Sequence, residues 1–213
     1  MEPLAPSTTN HESRRDVVST RPYGRMRVGS EARTPQLIPS SVLGTLLFVV
    51  VEIMLFAGFI SAFSIVKASA IVWPPPDQPR LPLEATALNT AALLASGVLL
   101  FLARRTFRKN PVGARKPLLA SMALGSFFVI FQGVEWVKLI QAGLTLTSSN
   151  LGSFFYTIIG VHALHAVAAL ILLAYAWWQL QQGRLRSSLL AAAEVFWYFV
   201  VGVWPVLYMV VYL

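Results

Sequence analysis

The sequence predicts an all-α protein, an integral membrane bundle of five transmembrane helices. Hydrophobic residues make up 56% of its 213 residues and charged residues only 12%, whereas soluble domains average about 25% charged residues. Five apolar segments are each long enough to cross a hydrocarbon core of about 30 Å. Most Lys and Arg residues lie in the short stretches that flank these segments. Together these three observations indicate a multi-pass membrane protein.

The chain divides into a polar arm and a membrane domain. Residues 1–38 contain six Arg and four acidic residues among Ser, Thr, Pro and Gly, a composition that cannot bury a core and predicts a flexible, basic cytoplasmic arm. Residues 39–213 form the predicted transmembrane domain. Its spans are predicted at residues 39–66, 83–103, 118–139, 153–178 and 189–212.

The basic residues predict the orientation of the bundle. The loop between spans two and three carries six of them, and Arg184 and Arg186 lie between spans four and five. Only Lys67, Arg80 and Lys138 lie toward the opposite side. By the positive-inside rule the N-terminus is cytoplasmic and the C-terminus lies outside. The net charge of +8 is thus explained by topology signals, and nucleic acid is not expected as a partner.

One carboxylate, Glu52, interrupts the otherwise apolar run 42–66 of the first span. It lies roughly 16 Å along the helix, near the bilayer middle. Intramembrane carboxylates mark functional sites and face a cavity or a partner. Because Phe56, Phe59 and Phe63 share its helix face, we expect Glu52 to face an aromatic groove. A lone carboxylate there would be favoured in its neutral form. Small residues such as Gly58 predict a close helix contact on another face.

The fourth span carries two histidines, His162 and His165, about one helical turn apart near the bilayer middle. Three interpretations are open: a polar contact between helices, which we favour, a contact with a proton or lipid headgroup, or a metal or haem ligand. A haem between two histidines needs ligands from opposite sides, and the spans contain no third His. The chain also has no Cys, which excludes thiolate ligands. No metal site and no catalytic residue are therefore expected.

Further polar groups lie in spans three and five. Glu135 and Lys138 are spaced to pair on one helix, and a structural pair is favoured over a proton relay. Glu194 opens the fifth span, where a helix N-terminus tolerates an acid. Trp204 lies deeper and is expected to pack against another helix or subunit.

These segments together resemble, in order, subunit III of the haem-copper oxidases. The resemblance rests on Glu52 with Leu55, Phe56 and Phe59, Trp73-Pro74-Pro75, Leu88-Asn89-Thr90, Gln132 with Glu135, Gly160-Val161-His162-Ala163-Leu164-His165, and Trp197-Tyr198-Phe199-Val200 through Trp204. Two positions depart from the family pattern, because Tyr198 replaces a His and Val201 replaces an Asp. The longer members also have two extra N-terminal helices, so this chain resembles the five-helix form.

The resemblance implies a non-catalytic accessory subunit in a bacterial cell membrane. In such relatives the haem and copper belong to the catalytic subunit I, electrons enter through subunit II, and a cleft holds phospholipid. It implies support for proton uptake and for the stability of the catalytic subunit during dioxygen reduction. Glu52, His162 and His165 become lipid-cleft or proton-linked candidates. The remaining motif residues have structural roles: Trp73, Pro74, Asn89, Thr90, Gln132, Glu135, Gly160, Trp197, Phe199 and Trp204.

Two alternatives remain open on the sequence. One is an accessory protein of the same fold attached to a nitric oxide reductase. The other, from a different class, is a small proton channel or transporter that uses Glu52, Glu135 and the two histidines as a relay.

Overall fold

The computed structural model describes residues 39–72 and 83–212. The predicted arm and the loop with Trp73 and Pro74 lie outside these residues. The described chain forms α1 (Ser40–Ser69), α2 (Leu83–Phe107), α3 (Arg115–Gln141), α4 (Asn150–Gln181) and α5 (Ser187–Leu207), followed by a π-helical turn, Tyr208–Tyr212. All five helices are long and apolar enough to cross a membrane. The all-α, five-span prediction is confirmed.

Capping residues and glycines mark several helix ends. The Ser149 side chain accepts a hydrogen bond from the Gly152 N–H and caps α4. Gly143 and Gly183 follow α3 and α4 with φ of +95° and +68°, a conformation that glycine adopts without strain. The helices extend three or four residues beyond several predicted ends, because backbone hydrogen bonding continues past the apolar core.

Helix α5 occupies the centre of the bundle and α1 its edge. Helix α5 packs against α1, α2 and α4, while α2 and α4 flank α3. Indole N–H groups connect α5 to α2: Trp197 Nε1 donates to Ser96 Oγ at 3.1 Å, and Trp204 Nε1 donates to Thr90 Oγ1 at 2.8 Å. The prediction that Trp204 packs against another helix is confirmed.

Helix α1 contributes only Phe56 and Phe63 to the buried core. Its small residues are exposed, and a Cβ added at Gly58 would meet no atom within 4 Å. The expected close contact through this face of α1 is therefore wrong within the described chain. The physical reason is that aromatic side chains, rather than the small ridge, turn toward α4 and α5.

The basic loops meet at one end of the bundle, where α2 ends and α5 begins. Arg104 Nε lies 3.4 Å from Glu194 Oε2, and Arg104 also donates to the Ser187 carbonyl at 2.8 Å. The Tyr198 hydroxyl donates to Glu194 Oε1 at 3.0 Å. The expectation that the helix N-terminus accounts for Glu194 is incomplete, because Arg104 supplies a full counter-charge and ties α2 to α5.

Candidate functional site

Glu52 and His165 form a pair between α1 and α4. His165 Nε2 lies 3.0 Å from Glu52 Oε2, and both side chains are nearly buried, with 12% and 13% of their surfaces exposed. Two predicted site residues, 113 positions apart, are thus brought together. The expectation of a lone carboxylate in Glu52's position is wrong, because the partner comes from another helix and no local spacing reveals it.

The other ring nitrogen of His165 is bonded within α4. Nδ1 lies 2.7 Å from the Val161 carbonyl oxygen. A carbonyl can only accept, so Nδ1 carries a hydrogen. In the neutral imidazole Nε2 then carries none. Glu52 Oε2 has no hydrogen-bond partner among the described residues, so the 3.0 Å separation from Nε2 is a close contact between two ionisable side chains and not a hydrogen bond.

Four phenylalanines surround the imidazole of His165. Phe48 and Phe56 come from α1, and Phe196 and Phe199 come from α5, with ring centroids 5.7 to 6.3 Å from that of His165. Of the three phenylalanines predicted to share the face of Glu52, Phe56 is one of these rings. Phe48 precedes Glu52 by four residues and shares its face, a signal available in the sequence. No such local signal assigns Phe196 to this place.

His162 lies one turn away in a different environment. Its ring contacts Phe56, Phe128 and Trp204, with a centroid distance of 5.0 Å to the indole. It is 1% exposed, and neither ring nitrogen has a hydrogen-bond partner among the described residues. It lines a cavity of about 130 Å³ between α3 and α4. His162 and His165 thus lie in different surroundings, although they are one helical turn apart.

The other polar motif residues form structural contacts. The Asn89 amide donates to the Phe128 carbonyl at 3.1 Å, and Gln132 donates to the Tyr212 hydroxyl at 2.9 Å. These bonds connect α2, α3 and the C-terminal turn. The Glu135–Lys138 pair is present at 2.7 Å, as its spacing predicts. Glu135 is therefore engaged within α3, away from the Glu52 pair.

Two open cavities flank α1. One is an apolar groove of about 500 Å³ between α1 and α5, which includes Ala57 and Gly202 where small side chains leave room. The other, of about 690 Å³, lies where α1, α4 and α5 approach the basic end of the bundle. It is lined by Ser41, Tyr175, Gln179, Arg184, Arg186, Ser188 and Leu189. Apolar and basic surfaces of this kind suit the two parts of a phospholipid.

Ligands for a haem or metal ion do not converge in the described residues. No group of three or more His, Asp, Glu or Cys side chains is close enough there to hold a metal ion. His165 is occupied by Glu52 and by the Val161 carbonyl, and His162 is enclosed by aromatic rings. The side chains of residues 39–72 and 83–212 therefore do not fit a haem or copper site.

The fold is that of a multi-pass membrane protein in which Glu52 of α1 lies against His165 of α4. Residues 29–213 match the family model for cytochrome c oxidase subunit III. The chain belongs to this family.

Curated relatives support the same assignment. The chain is 31% identical over 177 residues to cytochrome c oxidase subunit 3 of Synechocystis sp., covering 81% of this chain and 75% of the relative. It is 30% identical over 174 residues to a probable cytochrome c oxidase subunit 3 of Nocardia farcinica, covering 80% and 86%. It is 32% identical over 189 residues to cytochrome c oxidase subunit 3 of Ovis aries, covering 84% and 71%.

The chain is therefore an accessory subunit III of a haem-copper oxidase, a multi-pass membrane component of an oxidoreductase complex. The resemblance stated from the sequence is confirmed. The nitric oxide reductase and channel alternatives gain no support from these relatives.

Proposed function

We propose that this subunit is non-catalytic and packs beside a subunit I that holds the haem and copper, in a complex whose subunit II admits electrons. It lies in a bacterial cell membrane with its N-terminus in the cytoplasm, an orientation supported by the basic residues at one end of the bundle. Its role is to sustain proton uptake and to stabilise the catalytic subunit during dioxygen reduction.

The Glu52–His165 pair carries this proposal. It brings a carboxyl group of α1 within 3.0 Å of an imidazole of α4, and both side chains are nearly buried. Protonated and deprotonated forms of such a pair differ in charge at mid-membrane depth, where an uncompensated charge is costly. A carboxyl group and an imidazole are the side chains that most often transfer protons in proteins, which suits a role beside a proton-consuming partner.

Phospholipid is the proposed small-molecule partner of the chain. The groove between α1 and α5 is apolar and open enough for an acyl chain. Arg184 and Arg186 line the separate cavity at the basic end, and no carboxylate lies within ion-pair distance of either among the described residues. Arginines in that setting attract lipid phosphates. No haem, copper or nucleic acid is proposed to bind this chain.

The proposal is tested with the oxidase complex purified in mild detergent with native lipid. The variant Glu52→Gln removes the titratable carboxyl group but keeps similar size, so the complex should assemble with its full haem content. We expect its initial dioxygen-reduction rate to be preserved and its activity to decline at least twofold faster during continuous turnover.

The matched control is Glu84→Gln, the same change at an exposed position in the first turn of α2. It should retain the lifetime of the unmodified complex. If Glu52→Gln leaves turnover lifetime and proton uptake unchanged, the proton-linked role is wrong and the pair is only a contact between helices. If the chain is isolated in mild detergent without any haem-bearing subunit, the proposed association with subunits I and II is wrong.

A further inference from the structure

The cavity of about 130 Å³ between α3 and α4 is lined by apolar and polar side chains together. Phe128 and Ile159 are among its apolar residues. Three side chains with hydrogen-bonding groups complete the lining: Gln132 and Trp136 from α3, and His162 from α4. A cavity with this lining can hold a ligand that forms hydrogen bonds.

Three buried nitrogen atoms at this cavity lack a partner. Neither ring nitrogen of His162 has a hydrogen-bond partner among the described residues, and the same is true of the indole Nε1 of Trp136. His162 is 1% exposed, so neither the surrounding water nor lipid headgroups can reach its ring. Most buried polar atoms of side chains in folded proteins have a partner. Two side chains without one, at the same cavity, point to a bound ligand.

The chemistry of these atoms selects the ligand. An indole N–H only donates a hydrogen bond, whereas a neutral imidazole has one donating and one accepting nitrogen. Water both donates and accepts, so it can serve either tautomer of the imidazole. One water molecule takes about 30 Å³ in the liquid, so a cavity of about 130 Å³ has room for a few. A lipid acyl chain could enter the same space, but it would leave all three nitrogens unpaired.

We propose that this cavity is a water-binding site within the membrane span, in which bound water forms hydrogen bonds with the His162 imidazole and the Trp136 indole N–H. Gln132 is a third partner. Its Nε2 donates to Tyr212 and its Oε1 accepts from Asn89, which leaves one N–H and one lone pair. A buried water typically has about three hydrogen bonds, and these side chains supply them.

The water site is separate from the contact between Glu52 and His165. His165 does not line this cavity, and its Nδ1 is bonded to the Val161 carbonyl of its own helix. The proposal therefore gives His162 a ligand of its own and does not depend on the proton-linked role of Glu52.

Radiolytic labelling of the purified oxidase complex in phosphatidylcholine nanodiscs tests the site. Hydroxyl radicals formed from bound water oxidise the side chains beside it, and mass spectrometry measures the oxidation of each residue. The reference is Trp197, an indole that is 0% exposed, does not line the cavity and is bonded to Ser96. We expect Trp136 to be oxidised about fivefold faster than Trp197 or more, and His162 to be oxidised as well. Equal rates for the two indoles, or an unlabelled His162, would overturn the proposal.

Filling the cavity should remove the water. Ala163 lines the cavity, and Ala163→Leu adds a larger apolar side chain there while the polar residues stay in place. We expect oxidation of both Trp136 and His162 to fall about threefold or more. The matched control is Ala168→Leu, the same change at an exposed position of α4, which should leave both rates unchanged. If Ala163→Leu does not assemble with full haem content, Ala163→Val makes the same test with a smaller side chain.

Removing one polar partner separates bound water from water that only passes through. In His162→Leu the oxidation of Trp136 should fall about twofold or more, and in Trp136→Phe the oxidation of His162 should fall likewise. Rates that stay the same in both variants and in the filled cavity would show that the radicals come from outside the protein, and the site would then be wrong. The labelling needs no turnover, so its outcome is independent of the effect of Glu52→Gln on oxidase lifetime.

Discussion

Helices α1 and α5 are both strongly apolar, yet they occupy opposite positions in the bundle. Within their most apolar windows 11% of α1 residues are buried, against 44% of those in α5. Helix α1 is the more apolar of the two. In a bilayer, lipid tails are as favourable a surrounding for an apolar side chain as the protein interior. High hydropathy therefore does not indicate that a helix lies in the protein core.

The two helices also use polar groups differently. Helix α5 is held by indole N–H bonds from Trp197 and Trp204 to α2. Helix α1 has the Glu52–His165 contact and the rings around it. The difference predicts that α5 substitutions act on folding, while the polar substitution in α1 acts mainly on function. The following changes test that division.

The largest effect is expected from Trp204→Ala in α5. Trp204 is 0% exposed and donates to the Thr90 hydroxyl, so its removal leaves a cavity and breaks the bond between α5 and α2, while Thr90 still donates to the Thr86 carbonyl. We expect a loss of about 3 to 5 kcal/mol in the free energy of unfolding, measured by denaturant titration in mixed micelles. The α1 control Met54→Ala, 70% exposed, should change it by no more than about 0.5 kcal/mol. Equal losses would refute the contrast between the helices.

The second-largest loss of stability is expected where α3 approaches α5 at Gly125. A Cβ added at Gly125 of α3 would lie 2.6 Å from the Trp197 ring, so Gly125→Ala must displace a fully buried indole. We expect a loss of about 1 to 3 kcal/mol in the free energy of unfolding, measured by the same titration. Gly133→Ala, on the same helix with no atom within 4 Å of its added Cβ, is the control. A tolerated Gly125→Ala would mean that α3 and α5 can separate without cost.

Loss of the Arg104–Glu194 ion pair at the basic end should lower the free energy of unfolding by a comparable or smaller amount. Arg104→Gln leaves Glu194, 15% exposed, without its counter-charge, and we expect a loss of about 1 to 3 kcal/mol. The exposed neighbour Arg105→Gln should be nearly neutral. A double-mutant cycle with Glu194→Gln measures the coupling. A coupling energy of zero would reduce Arg104 to a topology signal.

The smallest effect on stability is expected from Glu52→Gln in α1. The amide of Gln has nearly the same size as the carboxyl group and can donate to Nε2 of a neutral His165, so the interhelical contact survives the substitution. We expect the free energy of unfolding to change by less than about 1 kcal/mol, although turnover lifetime falls. A stability loss above about 2 kcal/mol would show that the pair is primarily a fold element.

Much of the architecture could be predicted from local pattern. Five apolar runs identify five helices, because each must satisfy its own backbone hydrogen bonds in lipid. The i, i+3 spacing of Glu135 and Lys138 identified their pair. The position of Glu52 near the middle of an apolar run marked it as a site candidate. These features depend on residues close in sequence, where helix geometry alone determines the neighbours.

The pairing of Glu52 with His165 was decided only by tertiary structure. So were the contacts of Arg104 with Glu194 and of Phe196 and Phe199 with His165. Each joins residues on different helices, and their relation depends on how the helices rotate and pack. Hydropathy does not specify that rotation, because lipid and protein are equally good surroundings for an apolar face. The sequence by itself determined that a carboxylate would lie deep in the membrane, and the packing of α1, α4 and α5 decided that it lies 3.0 Å from an imidazole.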